Sequence, residues 1–190
     1  VVKDIMKLFI DKGAKVEDIS VKEILYFDCD FLLEYLLNQN KISLEQEDLW
    51  GNTLLHDACA EGSLNIVRLL LKHNMDVNAS NDNGETPLYI ADKYGHENIV
   101  KYLIEHGANM NYVGPEEKTP LTTALWYDDE SLVKCLVEHG ADVNQTNSNG
   151  ETPLFLSTMR NESIVKCLVE HGANVNKAES HGLTALHKAV

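Results

Sequence analysis

Apolar residues fall along the chain in short runs at helical spacing, each followed by glycine or asparagine and a polar connector. In ENIVKYLIEHG, Ile99, Val100, Leu103 and Ile104 share one face while Lys101 and Glu105 lie outside it, which predicts an amphipathic helix. Gly107 suits the left-handed position just past that helix, and His106 falls in its last turn, where partial positive charge favours the dipole. Upstream, Thr86 is a good N-cap and Pro87 a good first residue, because proline's missing N–H is an orphan there anyway. LYIADKY therefore begins a shorter helix, which Gly95 breaks. The connector ANMNYVG leads to the next threonine, and the turn signals Asn83-Gly84 and Asn149-Gly150 in other connectors predict a hairpin-like finger.

This order recurs. Thr53, Thr86, Thr119 and Thr152 stand 33 residues apart, Thr184 follows after 32, and three of the five open a Thr-Pro-Leu triplet. Asn74, Gly107, Gly140 and Gly172 keep step with them. A period of 33 predicts an all-α solenoid of stacked helix pairs. With a 33-residue unit patterned on Gly-x-Thr-Pro-Leu, then Ile-Val-x-x-Leu-Leu, then Gly-Ala-Asp-Val-Asn, the chain resembles the ankyrin-repeat family. Four nearly complete copies are expected at 48–80, 81–113, 114–146 and 147–178.

The flanks look like partial or degenerate copies. Residues 1–19 resemble the end of a preceding unit, 179–190 the opening of a following one, and 20–47 a shortened unit. Gly13 and its presumed counterpart Asn40 lie 27 residues apart, six short of the period, and the finger is the expected place for the deletion. Residues 1–190 are thus read as one array. Because both ends stop inside a unit and the first residue is Val1, a fragment of a longer array, or an array whose caps are not shown, is expected.

Composition narrows the partners. Sixteen basic and thirty acidic residues give a net charge of −14, a field that repels phosphate backbones and anionic lipid headgroups. The expected partner is a protein with a basic surface, with neither nucleic acid nor membrane. No apolar run approaches the roughly 18–20 residues that span a bilayer. Cys29, Cys59, Cys135 and Cys167 lack CxxC spacing and are read as reduced thiols, which points to the cytoplasm, with the nucleus an alternative.

Candidate chemistry reduces mostly to structure. The serial His73, His106, His139 and His171 invite a metal reading, yet equivalent residues one unit apart are separated by roughly 8–10 Å, too far to share one zinc. They are expected to finish helices. Cys135 and Cys167 occupy the same position in adjacent units and are too far apart for a disulfide. The acidic pairs Asp128-Asp129 and Glu116-Glu117 read as solvated loop carboxylates. No nucleophile–base spacing or phosphate-cradling loop is present, so neither an enzyme nor a cofactor is expected.

The resemblance adds roles. It implies that the histidine of Thr-Pro-Leu-His braces the unit by hydrogen bonding; that histidine is present at His56 and His187 but replaced by Tyr89, Thr122 and Phe155 in the middle copies. It also implies a scaffold or adaptor binding a protein on the concave helix and finger face. The alternative is the targeting arm of a larger enzyme or ubiquitin-ligase adaptor whose working domain lies outside the fragment. The variable positions are the finger tips and the two residues before the break after the first helix: Ala60 and Glu61, Lys93 and Tyr94, Trp126 and Tyr127, Met159 and Arg160. Aromatic residues and arginine concentrate there, as in interface hot spots. Trp50 on an earlier finger either extends the contact or covers the irregular unit before it, and Glu85, Glu116, Glu117 and Glu151 are expected to form an acidic rim. Asn78, Asn111, Asn144 and Asn176 occupy the loop positions at which ankyrin arrays resemble asparagine-hydroxylation substrates.

Overall fold

The computed structural model describes residues 2–14, 16, 19–159 and 161–190, apart from the side chains of Val2, Lys3 and Glu116. Helix α1 (Val2–Asp11) is followed by five helix pairs: α2 (Val21–Tyr26) with α3 (Asp30–Asn38), α4 (Leu54–Glu61) with α5 (Leu64–Lys72), α6 (Pro87–Lys93) with α7 (Glu97–Glu105), α8 (Pro120–Trp126) with α9 (Glu130–Glu138), and α10 (Pro153–Ser157) with α11 (Glu162–Glu170). Helix α12 (Ala185–Ala189) ends the series. Each first helix packs on the next, from α2 through α4, α6, α8 and α10 to α12. The second helices form the other layer, α1 on α3, α3 on α5, α5 on α7, and α9 on α11. The fold is an all-α solenoid.

Local chemistry fixes each start. The Thr86, Thr119 and Thr152 hydroxyls accept from the amides of Tyr89, Thr122 and Phe155 at 3.2, 3.2 and 3.1 Å, with proline next in line. Helix α2 lacks the threonine and proline but carries a reciprocal box: the Ser20 hydroxyl accepts from Glu23 N, and Glu23 accepts from Ser20 N at 2.9 Å. At its far end Asn40 takes the left-handed conformation that glycine holds elsewhere, with φ 53°. The shortened unit is therefore regularly begun and ended. Its deletion sits mostly in the connector, as expected: Ser20 follows Gly13 by seven positions, whereas Thr119 follows Gly107 by twelve.

The fingers are turns closed by backbone bonds, such as Asn81 N to Glu85 O at 3.0 Å and Gly114 N to Lys118 O at 2.8 Å. Single antiparallel bridges join Glu47 to Thr53 and Ala178 to Thr184, and the described residues hold no sheet. In the third finger, Glu117 has φ 58° where the other fingers place Gly51, Gly84 and Gly150.

The core runs unbroken between the layers. Leu55, Ile66, Leu70, Leu103, Leu132 and Leu136 are among its fully buried members, and the four cysteines are buried free thiols. Burial pushes the Cys59, Cys135 and Cys167 thiols up, so they act as small apolar side chains.

Candidate interaction surface

The periodic polar residues join one unit to the next. His56 Nδ1 accepts from Thr53 N at 3.1 Å, which leaves Nε2–H to donate to Glu85 O at 3.1 Å and Ala79 O at 3.2 Å on the following finger. Burial lowers its pKa, keeping the ring neutral as this pattern requires. In the middle units Tyr89 and Phe155 are buried instead, and the Thr122 hydroxyl accepts from Thr119 N at 2.7 Å. His106, His139 and His171 each donate Nδ1–H to the carbonyl four residues back, at 2.8, 2.7 and 2.8 Å, finishing their helices.

The asparagines form a ladder. Asn78, Asn111 and Asn144 accept through Oδ1 from the amides of Asn109, Asp142 and Asn174 in the next unit, at 2.8, 2.9 and 2.8 Å. Asn78 and Asn144 also donate to Gly107 O and Gly172 O. The periodicity that drew attention to these residues, Asn176 being the last of the series, thus has a structural cause.

The ends of the first helices lie on one side of the stack, and their large side chains stand in solvent. Tyr94, Trp126, Tyr127 and Met159 are exposed, Trp126 at 60%. Glu61 is exposed beside them, and Arg160 lies outside the described residues. Lys93 belongs to the row but is not free: its ammonium binds Glu85 Oε1 at 3.0 Å. Trp50 stands 62% exposed on its finger, next to the exposed Leu49.

The acidic finger residues are tied by hydrogen bonds, with Glu85 and Glu151 half-buried and Glu117 exposed. Glu85 holds Lys93 and the Asn81 amide, Glu151 accepts from the Asn147 amide at 2.8 Å, and Glu117 accepts from Ser148 N at 2.6 Å. These carboxylates fasten turns, and Glu116's side chain is outside the described residues.

Two residues of the row were missed. Tyr26 and Phe27 end α2 just before Asp28, whose φ of 47° matches the helix breaks at Gly62 and Gly95. They are 73% and 62% exposed, with ring centroids 5.1 Å apart, edge to face. The Ser20-x-x-Glu23 start supplies the register that brings them into line with Tyr94 and Tyr127.

Between the ends of α6 and α8 lies a cleft of about 230 Å³, lined in part by Asp92, Tyr94, Tyr127 and Asp129. A smaller cleft of about 120 Å³ opens between α4 and α6. A cavity of about 820 Å³ sits between the end of α1 and α3, with Ile10, Val16, Ile19 and Tyr35 in its lining. No described helix is long and apolar enough to cross a membrane.

A stack of helix pairs braced finger to finger in this way defines a repeat solenoid, an architecture with an extended surface. The family model described as ankyrin repeats (3 copies) matches residues 3–82, 24–114, 76–147 and 121–190. The chain belongs to the ankyrin-repeat family. Among solved structures it is similar to the ankyrin repeat domain of Bcl-3, described as a unique member of the IkappaB protein family, with 26% identity and a TM-score of 0.81 over 100% of this chain and 88% of that one. It is also similar to a chain in the structure of the Bd0816 predatory endopeptidase from Bdellovibrio bacteriovorus in complex with immunity protein Bd3460. That match has 27% identity and a TM-score of 0.78, covering 90% of this chain and 91% of that one. The comparison with curated proteins finds no match.

Proposed function

We propose that this chain is a protein-binding scaffold or adaptor whose contact surface is the row of first-helix ends. The observation that carries the reading is the set of solvent-exposed aromatic side chains, Tyr26, Phe27, Tyr94, Trp126 and Tyr127, at equivalent places in three of the units, with Ala60 and Glu61 at those places in the unit after the first of them. Exposed apolar groups aligned along a solenoid mark an interaction site, since burying them is favourable and scattered placement would not align them. Met159 and Glu61, both exposed, extend the row, and Trp50 is exposed on its finger. With a net charge of −14, the chain favours a partner with a basic surface. One similar chain sits in a structure of a two-protein complex, which supports binding to a protein.

The test begins with capture of the partner by the intact chain, then compares affinities. Trp126→Ala with Tyr127→Ala should leave the helical signal and melting temperature unchanged and weaken binding by at least about 2 kcal/mol. Unchanged affinity of the double variant would move the contact to the convex face or the N-terminal segment.

A further inference from the structure

Asp92 has an environment shared by few side chains here. Among the described residues, its two carboxyl oxygens and the Thr123 hydroxyl of the facing α8 are the buried side-chain oxygens or nitrogens without a hydrogen-bond partner. Asp92 is 3% exposed, and the equivalent places one unit before and after hold Cys59 and Leu125, both apolar. A carboxyl in such a slot is costly unless it is neutral or paired. Burial, with the Asp129 charge adding to it, holds its pKa up at about 8.

The cleft beside it tells what would pair with it. Asp92 lines the space of about 230 Å³ between α6 and α8, with Asp129 across from it and Tyr94, Tyr127, Ala124 and Leu132 completing the wall. Among the described residues Asp129 accepts from Leu132 N at 3.0 Å and from no other donor, which leaves the rest of its carboxylate to the cleft. Lys93, the remaining charged lining residue, is engaged by Glu85 and does not neutralise the pair. The space is large enough for the end of one side chain and too small for a helix or strand. Two carboxyls between tyrosine rings favour an organic cation, because charge pairing and cation–π attraction act together. A calcium ion would need about six to eight oxygen ligands.

We propose that this cleft receives one basic side chain of the protein partner, an alkylammonium or guanidinium group, with Asp92 and Asp129 as counter-charges and Tyr94 and Tyr127 as walls. On binding, Asp92 gives its proton to solvent and turns its carboxylate, closed to solvent in the free chain, toward the incoming cation. This rests on the reading of the helix-end row as the contact surface and gives that row its specificity: the tyrosines supply area, and the buried carboxyl demands positive charge.

The test needs no partner. Amide resonances of the intact chain are followed by NMR during titration with n-butylammonium chloride, with methylguanidinium chloride, and with n-butanol, sodium chloride and calcium chloride as controls. Saturable shifts at Gly95, Ala124 and Tyr127 are expected with one or both organic cations, and which one works separates lysine from arginine as the anchor. Asp92→Asn should weaken that binding at least about tenfold. Asp129→Asn, at the more exposed position, should weaken it less, and it provides the charge test should Asp92→Asn fail to fold. Equal shifts with butanol, saturation by calcium instead, unchanged affinity in the folded asparagine variants, or no saturable shift would each overturn the proposal. None of these would touch the helix-end reading, which falls only if the Trp126 and Tyr127 double variant binds the captured partner normally.

Discussion

Replacing Asp92 by asparagine removes one titrating proton from the core while nearly preserving the side chain's shape. In the folded chain the carboxyl titrates at about 8, against an ordinary value of 3.8 once it is exposed by unfolding. Between those values the folded state holds a proton that the unfolded state has released, so stability falls as pH rises. One proton corresponds to about 1.4 kcal/mol per pH unit. From pH 5.5 to 8 the parent chain should therefore lose roughly 3 kcal/mol through this residue alone, and little more above pH 9. His56 works in the opposite sense: its lowered pKa gives stability that is present above the ordinary histidine value of 6.5 and lost as pH falls through the lowered one. That contribution is common to both proteins and cancels in their difference. Urea unfolding followed by circular dichroism at pH 5.5 and at pH 8 gives the four free energies required. Asp92→Asn minus parent should become more favourable to the variant by roughly 3 kcal/mol across that interval. A difference that stays constant with pH would show that the carboxyl is already ionised, and hence paired or hydrated, in the folded chain.

Leu103→Ala removes a fully buried side chain of α7 and should cost roughly 2–5 kcal/mol in the same assay; a loss below about 1 kcal/mol would mean that the layers close around the cavity. Gly62→Ala should destabilise by more than about 1 kcal/mol, because φ is 76° and an added Cβ would lie 2.6 Å from His96 Cε1. Gly95→Ala, with the same sign of φ and open space around it, should cost less, and equal losses would refute the role of the clash. Hydrogen exchange should be faster in residues 20–47 than in residues 86–110, since a repeat with a short connector has fewer bonds to its neighbour. Slower exchange there would mean that the Ser20–Glu23 box and Asn40 restore the whole deficit.

The fold was legible because each unit repeats its own instructions. A threonine start, a helical apolar face and a left-handed exit recur every 33 residues, and each signal is local. The candidate surface was legible only where the register was. Lys93, Tyr94, Trp126 and Tyr127 are counted back from a glycine or its substitute, whereas Tyr26 and Phe27 required the serine–glutamate box to be recognised as a helix start. Charge in a sequence says nothing of direction, so the bonds of Glu85 and Glu151 to their own turns were not legible there. Asp92 was invisible for a different reason. In LYIADKY it reads as one more polar helix residue, and only the packing of α8 on α6 shows that its place is inside.

The asparagine ladder bears on how such an array can change length. Each rung takes its donor from the next unit's main chain, and the donating residues are Asn109, Asp142 and Asn174, so the joint does not depend on a particular side chain opposite. A unit carrying its own asparagine meets the same amide whichever unit follows. Duplication, deletion or exchange of whole 33-residue units therefore leaves the joints sound while the helix ends bring new side chains into the row. Recombination can rewrite what the surface binds without a compensating change at the seam.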